Sequence, residues 1–162
     1  MTVKISMGRY WGRFLRSSIC AGLLITASVG SAAAFDGLKP MSPQPTVDSV
    51  KPGLSVRYYG AKLNSIEQFI EWMEYEKGTA GEPIPMLNYQ VGQGNVLTTT
   101  TTDLVGADIK GLINFDKVGT YTVMVHSNDG GRVTIGGVMI HEDPDVHADR
   151  FSEELKLEIS EP

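Results

Sequence analysis

Leu54, Val56 and Tyr58 occupy alternate positions in "LSVRYYG", the two-residue period of a strand with one covered face, and Gly60 closes the run. The next segment changes period. In "NSIEQFIEWMEYEKG", Ile66, Phe69, Ile70 and Met73 recur at helical spacing, Ser65 and Gln68 fit a capping box, and Gly78 stands where the helix would stop. Trp72 and Tyr75 widen the apolar stripe, which predicts a core-packing helix face rather than a ligand site.

From Thr79 onward, glycine, threonine and β-branched residues come in short runs. "VLTTTTTD" (96–103), "ADIKGLINF" (107–115), "GTYTVMVHS" (119–127), "RVTIGG" (132–137) and "LKLEIS" (155–160) are the predicted strands, separated by polar or glycine-containing turns. Tyr121, Val123 and Val125 alternate with Thr122, Met124 and His126, and Ile109, Gly111, Ile113 and Phe115 keep the same period. The pattern is all-β with one amphipathic helix near its N-terminal end.

Ahead of these elements the chain has two other regions. Residues 1–34 read as a signal peptide: Lys4, Arg9, Arg13 and Arg16 are basic, an apolar stretch runs from Ile19 to Val29, and Ala32 and Ala34 precede Phe35 at a small-residue cleavage site. The apolar stretch is shorter than the roughly 20 residues of a membrane-spanning helix, so no transmembrane span is expected once the signal is cut. Residues 35–53 hold four of the eight prolines without an apolar period, the composition of an extended linker. The folded domain is expected over 54–162.

Removing 34 of the 162 residues takes away the one cysteine, Cys20, and four basic side chains but no acidic ones. The 128 that remain suffice for one core without disulfides. They carry 10 basic against 19 acidic residues, a formal charge of −9, which argues against nucleic acid as a partner. A positive ligand, a divalent cation, sugar hydroxyls or plain solvent all suit such a surface.

Two places carry candidate chemistry. "SNDGG" lies between strand-like runs, and Asn128, Asp129 and the glycines after them accept the positive φ of a tight turn. Beyond it, Glu142, Asp143, Asp145 and Asp149 fall within eight residues, in what reads as an acidic loop. Four carboxylates this close repel one another unless a hard cation or the neighbouring Arg132 and Arg150 offset them. The spacing is not that of an EF-hand. His126, His141 and His147 with Asp143 or Asp149 could supply a transition-metal site, but six residues between His141 and His147 suit neither a strand face nor one helix turn. No Ser elbow, cysteine nucleophile or carboxylate pair in an apolar surround is evident, so an enzyme is not expected.

The stretch from "PGLSVRYYG" to about Ser152, and above all "GTYTVMV" followed by "SNDGGRVTIGG", an apolar pair and acidic residues, resembles the protective-antigen (PA14) domain family. The resemblance implies a β-sandwich or barrel of antiparallel strands. It also implies an exported carbohydrate-binding or cell-surface recognition module of the periplasm, envelope or external medium, with a glycan partner and calcium as its cofactor. In sugar-binding members, two adjacent acidic residues in this turn hold calcium; Asn128 and Asp129 occupy those positions here, the first offering an oxygen without a charge. In those sugar-binding members the pair is joined by a cis peptide, which costs about 3 kcal/mol outside proline; without metal to compensate, a trans bond is expected. The resulting candidates are Asn128, Asp129 and Arg132 for ligand, and Asn128, Asp129, Asp143, Asp145 and Asp149 for metal. The alternative is a non-catalytic structural or protein-interaction module of the envelope. Members of the family normally continue with two more strands, so a C-terminally truncated domain that self-associates through an exposed strand edge, or is only marginally folded, is a further expectation.

Overall fold

The computed structural model describes residues 34–89 and 94–161, and the backbone of the strand Lys4–Gly8. Most of the expected signal peptide, including its apolar stretch and Cys20, lies outside the described residues. The order of elements is β1 (Lys4–Gly8), β2 (Ala34–Phe35), a single 3-10 turn (Val47–Ser49), β3 (Ser55–Gly60), α1 (Ile66–Tyr75), β4 (Thr79–Ala80), β5 (Val105–Lys110), β6 (Gly119–Ser127), β7 (Gly131–Ile135), β8 (Val138–Asp143), β9 (Arg150–Phe151) and β10 (Leu155–Ile159). Among the described residues, the fold is all-β with one α-helix. No helix among the described residues is long and apolar enough to cross a membrane.

The described strands form three sheets. The largest runs β1-β6-β10-β2, with β9 also on β6; the second runs β4-β3-β5; β7 and β8 form a hairpin. All pairings are antiparallel except that of β2 with β10. In β6 the predicted alternation is met: Val123, Val125 and Ser127 are buried and the residues between them are half-buried. Val123 and Leu157 reach zero exposure in a cluster with Ile140 and Ile159. Phe35 and Leu38 pack against this cluster, and Lys39 N–H donates to the carbonyl of Gly136, so the start of the proline-rich stretch is bound to the domain.

The helix follows its sequence signals closely. Ser65 is extended and its Oγ accepts from Gln68 N–H, while Gln68 Oε1 accepts from Asn64 N–H, a box closed one residue further out than the usual reciprocal pair. Ile66 and Phe69 are buried, and Tyr59 meets Phe69 edge-to-face at 5.3 Å. Trp72 and Tyr75, expected to widen the packed stripe, are instead exposed: with ten residues, α1 has a single covered face, which the residues at 66, 69, 70 and 73 already fill.

Two predicted strands differ. Residues 96–103 form turns rather than a strand, because the threonine hydroxyls bind the nearby backbone in place of a neighbouring strand. Thr99 Oγ1 reaches the carbonyls of Val96 at 2.8 Å and Thr101 at 2.9 Å and accepts from Thr101 N–H, and Val96 N–H donates to the Thr101 carbonyl. Thr98 is held by Tyr58 Oη and by the carbonyl of Glu82. The run over 107–115 keeps its strand only as far as Lys110, after which Leu112 and Ile113 are exposed.

Candidate functional site

The threonine turns form one wall of a cleft of about 430 Å³. Asn95, Thr102 and Asp103 line it from that side, Asn64 and Ser65 from the connection into α1, and Asn128, Asp129 and Gly130 from the β6–β7 turn; Phe69 and Val146 add apolar surface. The helix N-cap, the threonine run and the turn are remote in sequence. Three backbone hydrogen bonds hold them together. Ala61 N–H donates to the Leu104 carbonyl, Ile66 N–H to that of Pro144, and Asp129 N–H to that of His147. Leu104 and Asp129 both take left-handed backbone, with φ of 56° and 67°. For Asp129 this is the turn geometry that Asn and Asp tolerate best among residues with a side chain. Gly130 has a different constraint: a Cβ there would lie 2.9 Å from the Asp143 carbonyl and 3.0 Å from that of Pro144. Among the described residues, the only cis peptide joins Ser42 and Pro43, so the Asn128–Asp129 bond is trans.

The candidate acidic residues divide among several places. Glu142 and Asp143 end strand β8, so the acidic segment is a loop only from Pro144 onward. Asp143 is buried and accepts from Arg150 Nε at 2.8 Å and from Arg150 Nη2. His147 Nε2 lies 2.9 Å from Asp143 Oδ2, too poorly aligned for a hydrogen bond, while Nδ1 of the same ring contacts the Ala148 carbonyl. The guanidinium beside Asp143 holds its carboxyl below the usual carboxylate range against the opposing effect of burial, and the same contact raises Arg150. His141 is pushed below the ordinary histidine value, chiefly by burial.

Asp149 Oδ1 accepts from Asn128 Nδ2 at 2.8 Å, so these two candidates do meet. Asp145 is exposed and its backbone bridges to Ser65. Arg132 is absent from the lining of this cleft: its Nε donates to Glu142 Oε2, its Nη2 is 4.0 Å from Glu67, and it lines a separate apolar groove. Among the described residues, no three or more His, Cys, Asp or Glu side chains are grouped to hold a metal ion. Of the two sources of positive charge that the acidic residues called for, Arg150 is the one paired with Asp143.

Sequence reasoning missed Asn64, Asn95, Thr102 and Asp103 as neighbours of Asn128 and Asp129. A local signal did exist in the threonine run, whose hydroxyls favour turns, but its position beside the β6–β7 turn is tertiary. No protein-family model matches the chain, and no curated protein or solved structure matches it.

Proposed function

We propose that the protein is an exported PA14-like recognition module that binds the hydroxyl groups of a glycan in the cleft bordered by Asn128 and Asp129. One observation carries this reading: three amides and two carboxylates, from Asn64, Asn95, Asn128, Asp103 and Asp129, line one cleft of saccharide size. Amides and carboxylates pair with vicinal hydroxyls as donors and acceptors together, and a mixed polar and apolar lining suits a sugar ring, which has both kinds of surface. Glycan-array binding followed by calorimetry is the test, with Asp129→Ala and Asn95→Ala expected to weaken binding at least tenfold. Repeating it with a chelator tells calcium-assisted from direct recognition, since the first is abolished and the second unchanged. Retained affinity in both variants would remove the cleft from the function.

A second reading, a protein-interaction module, is favoured by a separate groove of about 570 Å³ lined largely by apolar side chains, among them Ile70, Met73, Met86 and Ile113. Methionine side chains adapt to varied apolar partners. Substitutions at Met73 and Met86 that abolish capture of a protein partner, while glycan binding is absent, would select this reading.

A further inference from the structure

β6 is an interior strand of the largest sheet, with β9 and β10 along one edge. On its other edge, residues Thr122 to His126 pair antiparallel with Lys4–Gly8, Met124 opposite Ser6. That covering strand belongs to the segment that reads as an export signal. On the reading of the protein as exported, the mature chain loses it, and the backbone N–H and C=O groups along this edge of β6 lose their partners.

The geometry points to a second copy of the mature chain as the replacement, through a two-fold β6–β6 pairing centred on Met124. Three observations select this occupant. The edge accepts an antiparallel strand, and an antiparallel strand of identical sequence meets it around a two-fold axis, with Thr122 opposite His126 and Val123 opposite Val125, an isologous contact that closes as a dimer. "GTYTVMVHS" carries no Lys, Arg, Asp, Glu or Pro, so it lacks the charges and proline that usually protect an edge, and two copies bring no like charges together although the mature chain as a whole is acidic. Val123 and Val125 are already buried on one face, so the pairing extends an existing core across the axis instead of leaving its flank to water.

The test exports the full chain, confirms by mass spectrometry that the product begins at Phe35, and measures its mass by light scattering. The processed chain is expected at twice the monomer mass, and the full chain with cleavage blocked by Ala32→Leu and Ala34→Leu at the monomer mass. Since the mature chain contains no cysteine, Met124→Cys reports the axis directly. Opposed residues of an antiparallel pair lie about 4.5–5.5 Å apart at Cα, within disulfide reach. Mild oxidation should convert most of this variant to a covalent dimer and leave Thr134→Cys, on the exposed side of β7, monomeric. Met124→Lys and Met124→Glu, each folded by circular dichroism, should be monomers that recover the dimer on mixing, with at least tenfold higher affinity than either alone. A monomeric processed chain, a product that keeps its leader, equal cross-linking at 124 and 134, or charge variants that dimerise singly would each overturn the proposal.

Discussion

Arg150 grips the carboxylate of Asp143 through two side-chain nitrogens, and this contact joins the end of β8 to β9 across the loop that carries Val146 and His147. Asp143 is buried, so its charge depends on this partner. Replacing Asp143 by Asn keeps the shape but turns an amide toward a guanidinium that still needs acceptors. Asp143→Asn is expected to cost about 1–3 kcal/mol, the range for leaving a hydrogen-bonding group unsatisfied, read as a lower urea midpoint with an unchanged slope.

The same cluster makes stability fall in acid. Asp143 has a folded pKa below its unfolded value, so its contribution is complete above the unfolded value and is lost as pH drops through the folded one. His141 is also lowered, by burial, so the unfolded chain takes up a proton first and stability declines once pH falls below the ordinary histidine range. Two steps are therefore expected in unfolding free energy against pH, a first near and below about 6.5 and a second in the carboxylate range. His141→Gln should remove the first step and leave the second, as measured by denaturant titration across pH.

Strand β6 and helix α1 were both legible in the sequence, because each has a single covered face that imposes its period on the chain: Val123 and Val125 in one, Ile66 and Phe69 in the other. The cleft was legible only in part. Asn128 and Asp129 stood out by turn chemistry, whereas Asn64, Asn95 and Asp103 reach them through backbone hydrogen bonds that leave no local trace. Arg132 shows the same limit from the other side. Its charge suggested a place beside Asn128 and Asp129, yet strand register turned it to Glu142, whereas Asp149 does meet Asn128.

Gly130 is where turn and loop come closest. An added methyl would sit within 3.0 Å of two backbone carbonyls, which cannot swing aside as a flexible side chain can. Gly130→Ala is expected to destabilise by about 1–3 kcal/mol, in the range of overpacking. Because Asn128 and Asp129 precede it in the same turn, it should also reduce cleft binding more than its stability loss accounts for, seen by comparing affinities below the unfolding transition.

Thr99 offers a test of the turn that replaced the expected strand. Its hydroxyl serves the carbonyls of Val96 and Thr101 and the N–H of Thr101, so one oxygen fixes the bend that puts Asn95 and Thr102 on the cleft. Thr99→Val preserves the volume and raises strand propensity while removing the oxygen. If the hydroxyl dictates the turn, the variant loses on the order of 1 kcal/mol, and amide exchange speeds up at Thr101 and Val96. If side-chain shape dictates it, stability and exchange stay as they were. Thr99→Ser separates the two further, since it keeps the hydroxyl without the methyl and should hold the turn with protection at Thr101 intact.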